Sequence, residues 1–143
     1  MSKYGTVETA ISDKYCLVDA LIDMGWKRDQ ISVYDTPQDL IDFQGRKTHY
    51  LDATGDKAEV IIRRQHLIGA ANDMGFCRNP QTGRFEAIIS QYDRIHYTPQ
   101  WSKKLEVNYA ERYTIKTAKR QGLTFAGYGQ KVAGKRQLLF TQA

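Results

Sequence analysis

Residues 58 to 91 alternate apolar and other side chains in three successive runs, AEVIIRRQ, AANDMGFCR and RFEAIIS. A period of two predicts strands, because successive side chains of an extended chain point to opposite faces. Asn79-Pro80-Gln81-Thr82-Gly83 joins the last two runs and has the composition of a hairpin loop. Parity then sorts the side chains. Val60, Ile62, Met74, Phe76, Phe85, Ala87 and Ile89 share one face and are expected to form the core. Ile61, Arg63, Asp73, Gly75, Glu86 and Ile88 share the other.

On either side of this centre the period changes. Residues 4 to 11, YGTVETAI, alternate as a first strand. Ser12 or Asp13 can cap a helix in which Cys16, Leu17, Ala20, Leu21 and Met24 form one apolar stripe, and Gly25 stands where the helix should stop. A short strand is expected over 29–34, interrupted by Pro37. Residues 35–57 form a polar, variable insert in which Leu40, Ile41 and Phe43 suggest a tucked-in turn and His49-Tyr50-Leu51 a further strand. A connector holding Pro99 leads to a second helix over about 102–121, with Ser102 as cap and Gly122 as stop. On a helical wheel Val107, Ala110, Thr114, Thr117 and Ala118 make a narrow face of small residues suited to lie on a sheet. Leu105, Tyr109 and Tyr113 make a second stripe. Leu123 to Phe140 reads as a hairpin turning at Ala133-Gly134-Lys135.

Few, widely separated helices among strands joined by tight turns predict an α+β fold. The expected architecture is a single domain over 1–143, with a mainly antiparallel sheet of about six or seven strands and two helices on one face. Its composition, 41% hydrophobic and 26% charged, is that of a globular chain and excludes a disordered one. No apolar run is long enough to span a bilayer, and the first residues lack the apolar stretch of a secretory signal. A cytosol-like compartment and no membrane partner are expected.

Charge is unevenly spread. Residues 103–143, the basic helix plus hairpin, hold nine Lys or Arg and two acids; residues 1–102 hold twelve and fourteen. A basic unit on a mildly acidic body points to an acidic partner, either nucleic acid or an acidic protein surface. On the second helix Arg112, Lys116, Lys119 and Arg120 flank Tyr109 and Tyr113, a set that could track phosphates and stack bases. That makes nucleic-acid binding the alternative to protein docking.

Catalytic signals are sparse. Cys16 and Cys77 have no neighbours at metal-ligand spacing, and His49, His66 and His96 fall in no metal-binding arrangement. No phosphate-cradling loop or nucleophile elbow is present. No metal, organic cofactor or catalytic residue is expected, although Asp73 beside a His or Tyr could do acid–base work. Gly75 in a central strand marks a place where another group comes close. Arg63 can pair with Asp73 on that same face, and Ile61 and Ile88 make the face too apolar to stay wet. Either the 35–57 insert or a second protein should cover it. Ile61, Arg63, Asp73, Gly75 and Ile88 are therefore the expected docking surface for a protein partner.

Several stretches keep a recognisable order: Met1-Ser2 followed by YGTVETAISDK, the helix end LIDMGW, then AEVIIR, DMGF, the run from Gly83 to Ile89, NYA at 108–110 and AKRQGL at 118–123. In this succession the chain resembles the hypothetical chloroplast open reading frame thirty-five family, a plastid and cyanobacterial domain of unknown function. It departs from the family in SQYDRIHY at 90–97, which lacks the usual tryptophan, and in a longer 35–57 insert. The resemblance implies a cyanobacterial cytosol, a plastid stroma or, for a viral relative, an infected-host cytosol. It supplies no activity.

Overall fold

The computed structural model describes residues 3–69 and 72–142, apart from the side chain of Val132. The start Met1-Ser2 and the first two residues of the expected central strand, Ala70 and Ala71, lie outside the described residues. The expected α+β class is observed, with seven antiparallel strands in two sheets and two α-helices among the described residues.

The larger sheet takes the order β1-β5-β4-β3-β2, all neighbours antiparallel. Its strands are β1 (Tyr4–Glu8), β2 (Ile31–Asp39), β3 (Lys57–Ile62), β4 (Met74–Arg78) and β5 (Phe85–Ser90). α1 (Lys14–Asp23) crosses from one edge strand to the other, and β2 to β5 then return as a meander to pair with β1. Asp13 caps α1, its Oδ1 accepting from Tyr15 N and Cys16 N, both at 3.0 Å. Gly25, at φ 123°, ends it, and Trp26 N folds back to Leu21 O at 3.3 Å.

β2 is longer than the sequence suggested. It runs through Pro37, with a register shift between Val33 and Gln38. An edge strand permits this, because the missing N–H would face solvent. His49-Tyr50-Leu51 forms no strand. α2 also starts earlier than expected, spanning Pro99–Arg120. Thr98 caps it, accepting from Trp101 N at 3.2 Å, and Pro99 occupies the first helical position, where no amide is needed.

Parity placed the sheet's apolar residues correctly. Val60, Ile62, Met74, Phe76, Phe85, Ala87 and Ile89 all join the core that packs against α1 and α2. The helix face was misjudged. Leu105 and Tyr109 of the tyrosine stripe are buried with Ala118, the one buried member of the small-residue face, while Tyr113 is 43% and Val107 59% exposed and Ala110 and Thr114 face outward. The tyrosine stripe wins because it removes more apolar area from water than small residues can.

The second sheet is a hairpin, β6 (Leu123–Val132) and β7 (Lys135–Gln142), separate from the first and packed beside α2. Ala133 and Gly134, at φ 52° and 76°, make its two-residue turn. Register shifts around Gly127 and Tyr128 bulge β6.

The outer face of the large sheet is closed by the chain itself. Tyr4, Leu40, Ala58, Ile61 and Ile88 form a second buried cluster. Gly75 admits it: a Cβ there would stand 2.7 Å from Ala58 Cβ and 2.9 Å from Leu40 Cδ2. Gly75→Ala should therefore lose about 1–3 kcal/mol of stability in urea unfolding through overpacking, and the 43–55 segment should become more sensitive to limited proteolysis.

Candidate functional site

The five residues expected to dock a partner lie together on the outer sheet face, and the insert covers them. Ile61 and Asp73 are fully buried, Ile88 is 5% exposed and Gly75 meets Leu40. Arg63 alone keeps a part-exposed side chain. Of the two covers the sequence allowed, the 35–57 insert is the one in place. The face is thus an internal interface in this structure, which corrects the expectation of an open docking surface.

Asp73 holds that interface. One carboxylate oxygen accepts from Arg63 Nη1 at 2.8 Å and Ile41 N at 2.9 Å; the other accepts from Arg64 N at 2.8 Å. Arg64 Nη1 stands 3.7 Å away. The Asp73 carbonyl accepts from Tyr4 Oη at 2.5 Å. Burial pushes the Tyr4 hydroxyl well above its ordinary range, and the charges of Asp73, Asp56, Asp93 and Asp42 add to the shift. Arg63 also donates to Asp39 O and Tyr34 Oη, both at 3.1 Å, and its guanidinium holds the Tyr34 hydroxyl below the usual phenol range. An Asp73 carboxylate engaged on both oxygens is a clamp for the insert. Within the insert, Asp56 accepts from Tyr50 N, Leu51 N and Asp52 N at 2.7–3.0 Å, so a buried acid also sets the loop shape.

The nucleic-acid set on α2 is split by its surroundings. Tyr109 is buried, its hydroxyl accepting from Ser12 N at 3.1 Å and Asp13 N at 2.9 Å. Arg112 forks onto Asp23 at 2.7 and 2.6 Å, and Lys116 reaches Asp13 at 2.6 Å. Asp23 closes α1, where a negative charge opposes the helix dipole, so Arg112 offsets an unfavourable position. Tyr113 stacks on Tyr109 with centroids 5.8 Å apart. Of the four cations in this set, Lys119 and Arg120 remain exposed with no ion pair among the described residues.

The surface left open is one the sequence pattern did not single out. α2 and the hairpin enclose a cleft of about 600 Å3 that includes Val107, Ala110, Glu111 and Leu138. No residue of β6 or β7 is fully buried among those described, and Tyr128 and Leu139 are 48% and 45% exposed. Arg136 bonds Glu111, with Nε to Oε1 at 3.1 Å and Nη2 to Oε2, and lies 3.7 Å over the Tyr128 ring. The signal was present in the sequence as Val107, which lies off the tyrosine stripe. Assigning it to the sheet hid it.

Both cysteines are free thiols, and no group of three or more acids, histidines or cysteines among the described residues could hold a metal. Among the described residues no helix is long and apolar enough to cross a membrane.

Taken together these features define an α+β domain with two unequal antiparallel sheets, the larger closed on both faces and the smaller left open beside α2. The chain belongs to the DUF1257 family, described as a protein of unknown function, whose sequence model matches residues 39–139, from the end of β2 to the hairpin. No curated protein and no solved structure matches it.

Two outcomes are expected from these contacts. Asp73→Ala should cost about 3–5 kcal/mol in urea unfolding, because it strands a partly buried guanidinium and two amides; a loss below about 1 kcal/mol would show the clamp to be dispensable. For Asp13, burial acts to raise its pKa, but the Lys116 ammonium and the Cys16 and Tyr15 amides outweigh that and hold the carboxyl below the usual range. A depressed folded pKa gives stability that is present above the unfolded value and is lost as pH falls through the folded one. Asp13→Asn keeps a capping oxygen and removes the charge, so its stability should fall less steeply below about pH 4 than that of the parent protein.

Proposed function

We propose that this is an accessory binding protein that docks a protein partner through the unit formed by α2 and the β6–β7 hairpin. The observation that carries this is the exposed apolar surface there. A two-stranded hairpin is marginal alone, yet this one buries no described residue fully and leaves Tyr128 and Leu139 largely in solvent, as Val107 is on α2. Exposed apolar groups gathered beside cations are the composition of an interface. Binding is favoured over catalysis because Asp73, the carboxylate weighed for acid–base work, is fully engaged by Arg63, Arg64 and Ile41. The alternative, nucleic-acid binding through α2, keeps Lys119 and Arg120 in its support and loses Arg112 and Lys116 to acids of α1.

The order of motifs from YGTVETAISDK to AKRQGL supports placing the protein with the hypothetical chloroplast open reading frame thirty-five family. By that reading it works in a cyanobacterial cytosol, a plastid stroma or an infected-host cytosol.

A photo-crosslinking residue at Leu139, compared with one at the exposed Gln81 in the β4–β5 turn, tests the docking reading in host cells. Protein adducts specific to position 139 and resistant to nuclease are expected. Nuclease-sensitive adducts, or equal capture at both positions, would replace or remove it.

A further inference from the structure

We propose that the cleft between α2 and the hairpin is a receptor for a short acidic peptide segment carrying apolar anchors. This rests on the docking reading and names the chemistry of the partner. The cleft, at about 600 Å3, falls in the size range of ligand sites. Its floor is apolar, from Val107 and Ala110 on α2 and Leu138 on β7. Its rim holds Lys104, Lys131 and Lys135, none of which makes an ion pair among the described residues. Glu111 is the one acid among the described lining residues, and Arg136 neutralises it while tying the hairpin to the helix. Three uncompensated cations around an apolar floor match a segment that offers carboxylates at its edges and one or two apolar side chains at its centre.

Other occupants fit less well. A nucleic-acid strand needs free aromatic faces to stack on. Here no aromatic residue lines the cleft, and of the nearby rings Arg136 occupies one face of Tyr128 and Tyr109 one face of Tyr113. The polar side chains beside the floor, Asn108 and Thr114, are bonded to Met24 Sδ and Ala110 O, and Val107, Ala110 and Leu138 offer bases no stacking. A symmetric dimer through this cleft would bring two cationic rims together, since a two-fold interface pairs a patch with itself.

Selection of random 12-residue peptides on the immobilised full chain tests the assignment. The expected result is enrichment of Asp and Glu flanking Leu, Ile, Val or Phe. In solution the selected peptides should shift the amide resonances of Val107, Ala110 and Leu138. They should bind about tenfold or more weakly to the triple variant Lys104→Glu, Lys131→Glu, Lys135→Glu. All three lysines are exposed, so the variant should fold, and circular dichroism checks that. Val107→Asp provides a second disruption, because it spoils the floor and keeps the rim. No acidic enrichment, binding unchanged in both variants, resonance shifts outside the cleft, or equal binding of polyglutamate and oligothymidine would each overturn the proposal. So would a concentration-dependent dimer that the triple variant abolishes, which would make a second copy the occupant. Protein adducts from position 139 without acidic peptides in the selection would remove this assignment and leave the docking reading in place.

Discussion

One buried carboxylate, that of Asp73, decides how the second layer of this fold is built. It stands just before β4 and reaches the end of β3 through Arg63 and Arg64, the insert through Ile41, and, by its carbonyl, β1 through Tyr4. Taking a carboxylate out of water is costly, and its ion pairs return much of that only when every lone pair is used. The amides of Ile41 and Arg64 use them. Because Ile41 is bonded both to the Asp73 side chain and, through its carbonyl, to Asp73 N at 2.9 Å, the insert can dock in one register. Leu40 then falls over Gly75, where no other residue type would leave room for it. The charge fixes the position, and the apolar cluster of Tyr4, Leu40, Ala58, Ile61 and Ile88 supplies the stability.

What could be read from the sequence follows from the range of the physics involved. Strand parity is a nearest-neighbour property, so Met74 and Phe76 inward and Asp73 and Gly75 outward were legible at once. The Arg63–Asp73 pair was legible for the same reason, being a contact between neighbouring strands. The cover of that face was legible only as one of two alternatives, because 35–57 is polar and aperiodic and Leu40, though expected to tuck in, has no pattern around it that says where. Pro37 within β2 and Pro99 at the start of α2 were read as breaks. Each is in fact tolerated for a positional reason, an edge strand in one case and a first helical turn in the other, and position is what a local pattern lacks.

The face of α2 shows a different limit. Two stripes compete on that helix, Leu105-Tyr109-Tyr113 and Val107-Ala110-Thr114, and apolar area favours the first without fixing how the helix is turned. α1 completes the choice. Asp13 and Asp23 lie at its two ends and draw in Lys116 and Arg112, on the flanks of the tyrosine stripe. Those pairs join residues 89 and 103 positions apart in the chain, a separation no periodicity reports.

This choice also explains where the positive charge ends up. The C-terminal third is strongly basic in sequence, but the cations nearest α1 are neutralised by it and Arg136 is neutralised by Glu111. Turning the tyrosine stripe inward therefore turns Val107 and Ala110 outward, toward a hairpin whose remaining lysines have no acid to meet. The same rotation that completes the core leaves an apolar strip bordered by uncompensated charge. Such a surface is costly to keep in water, and two strands and one helix face cannot cover it by themselves. The incomplete burial at the C-terminal end is a consequence of how the core was closed, and it makes this end the part of the molecule that stands to gain most from a bound partner.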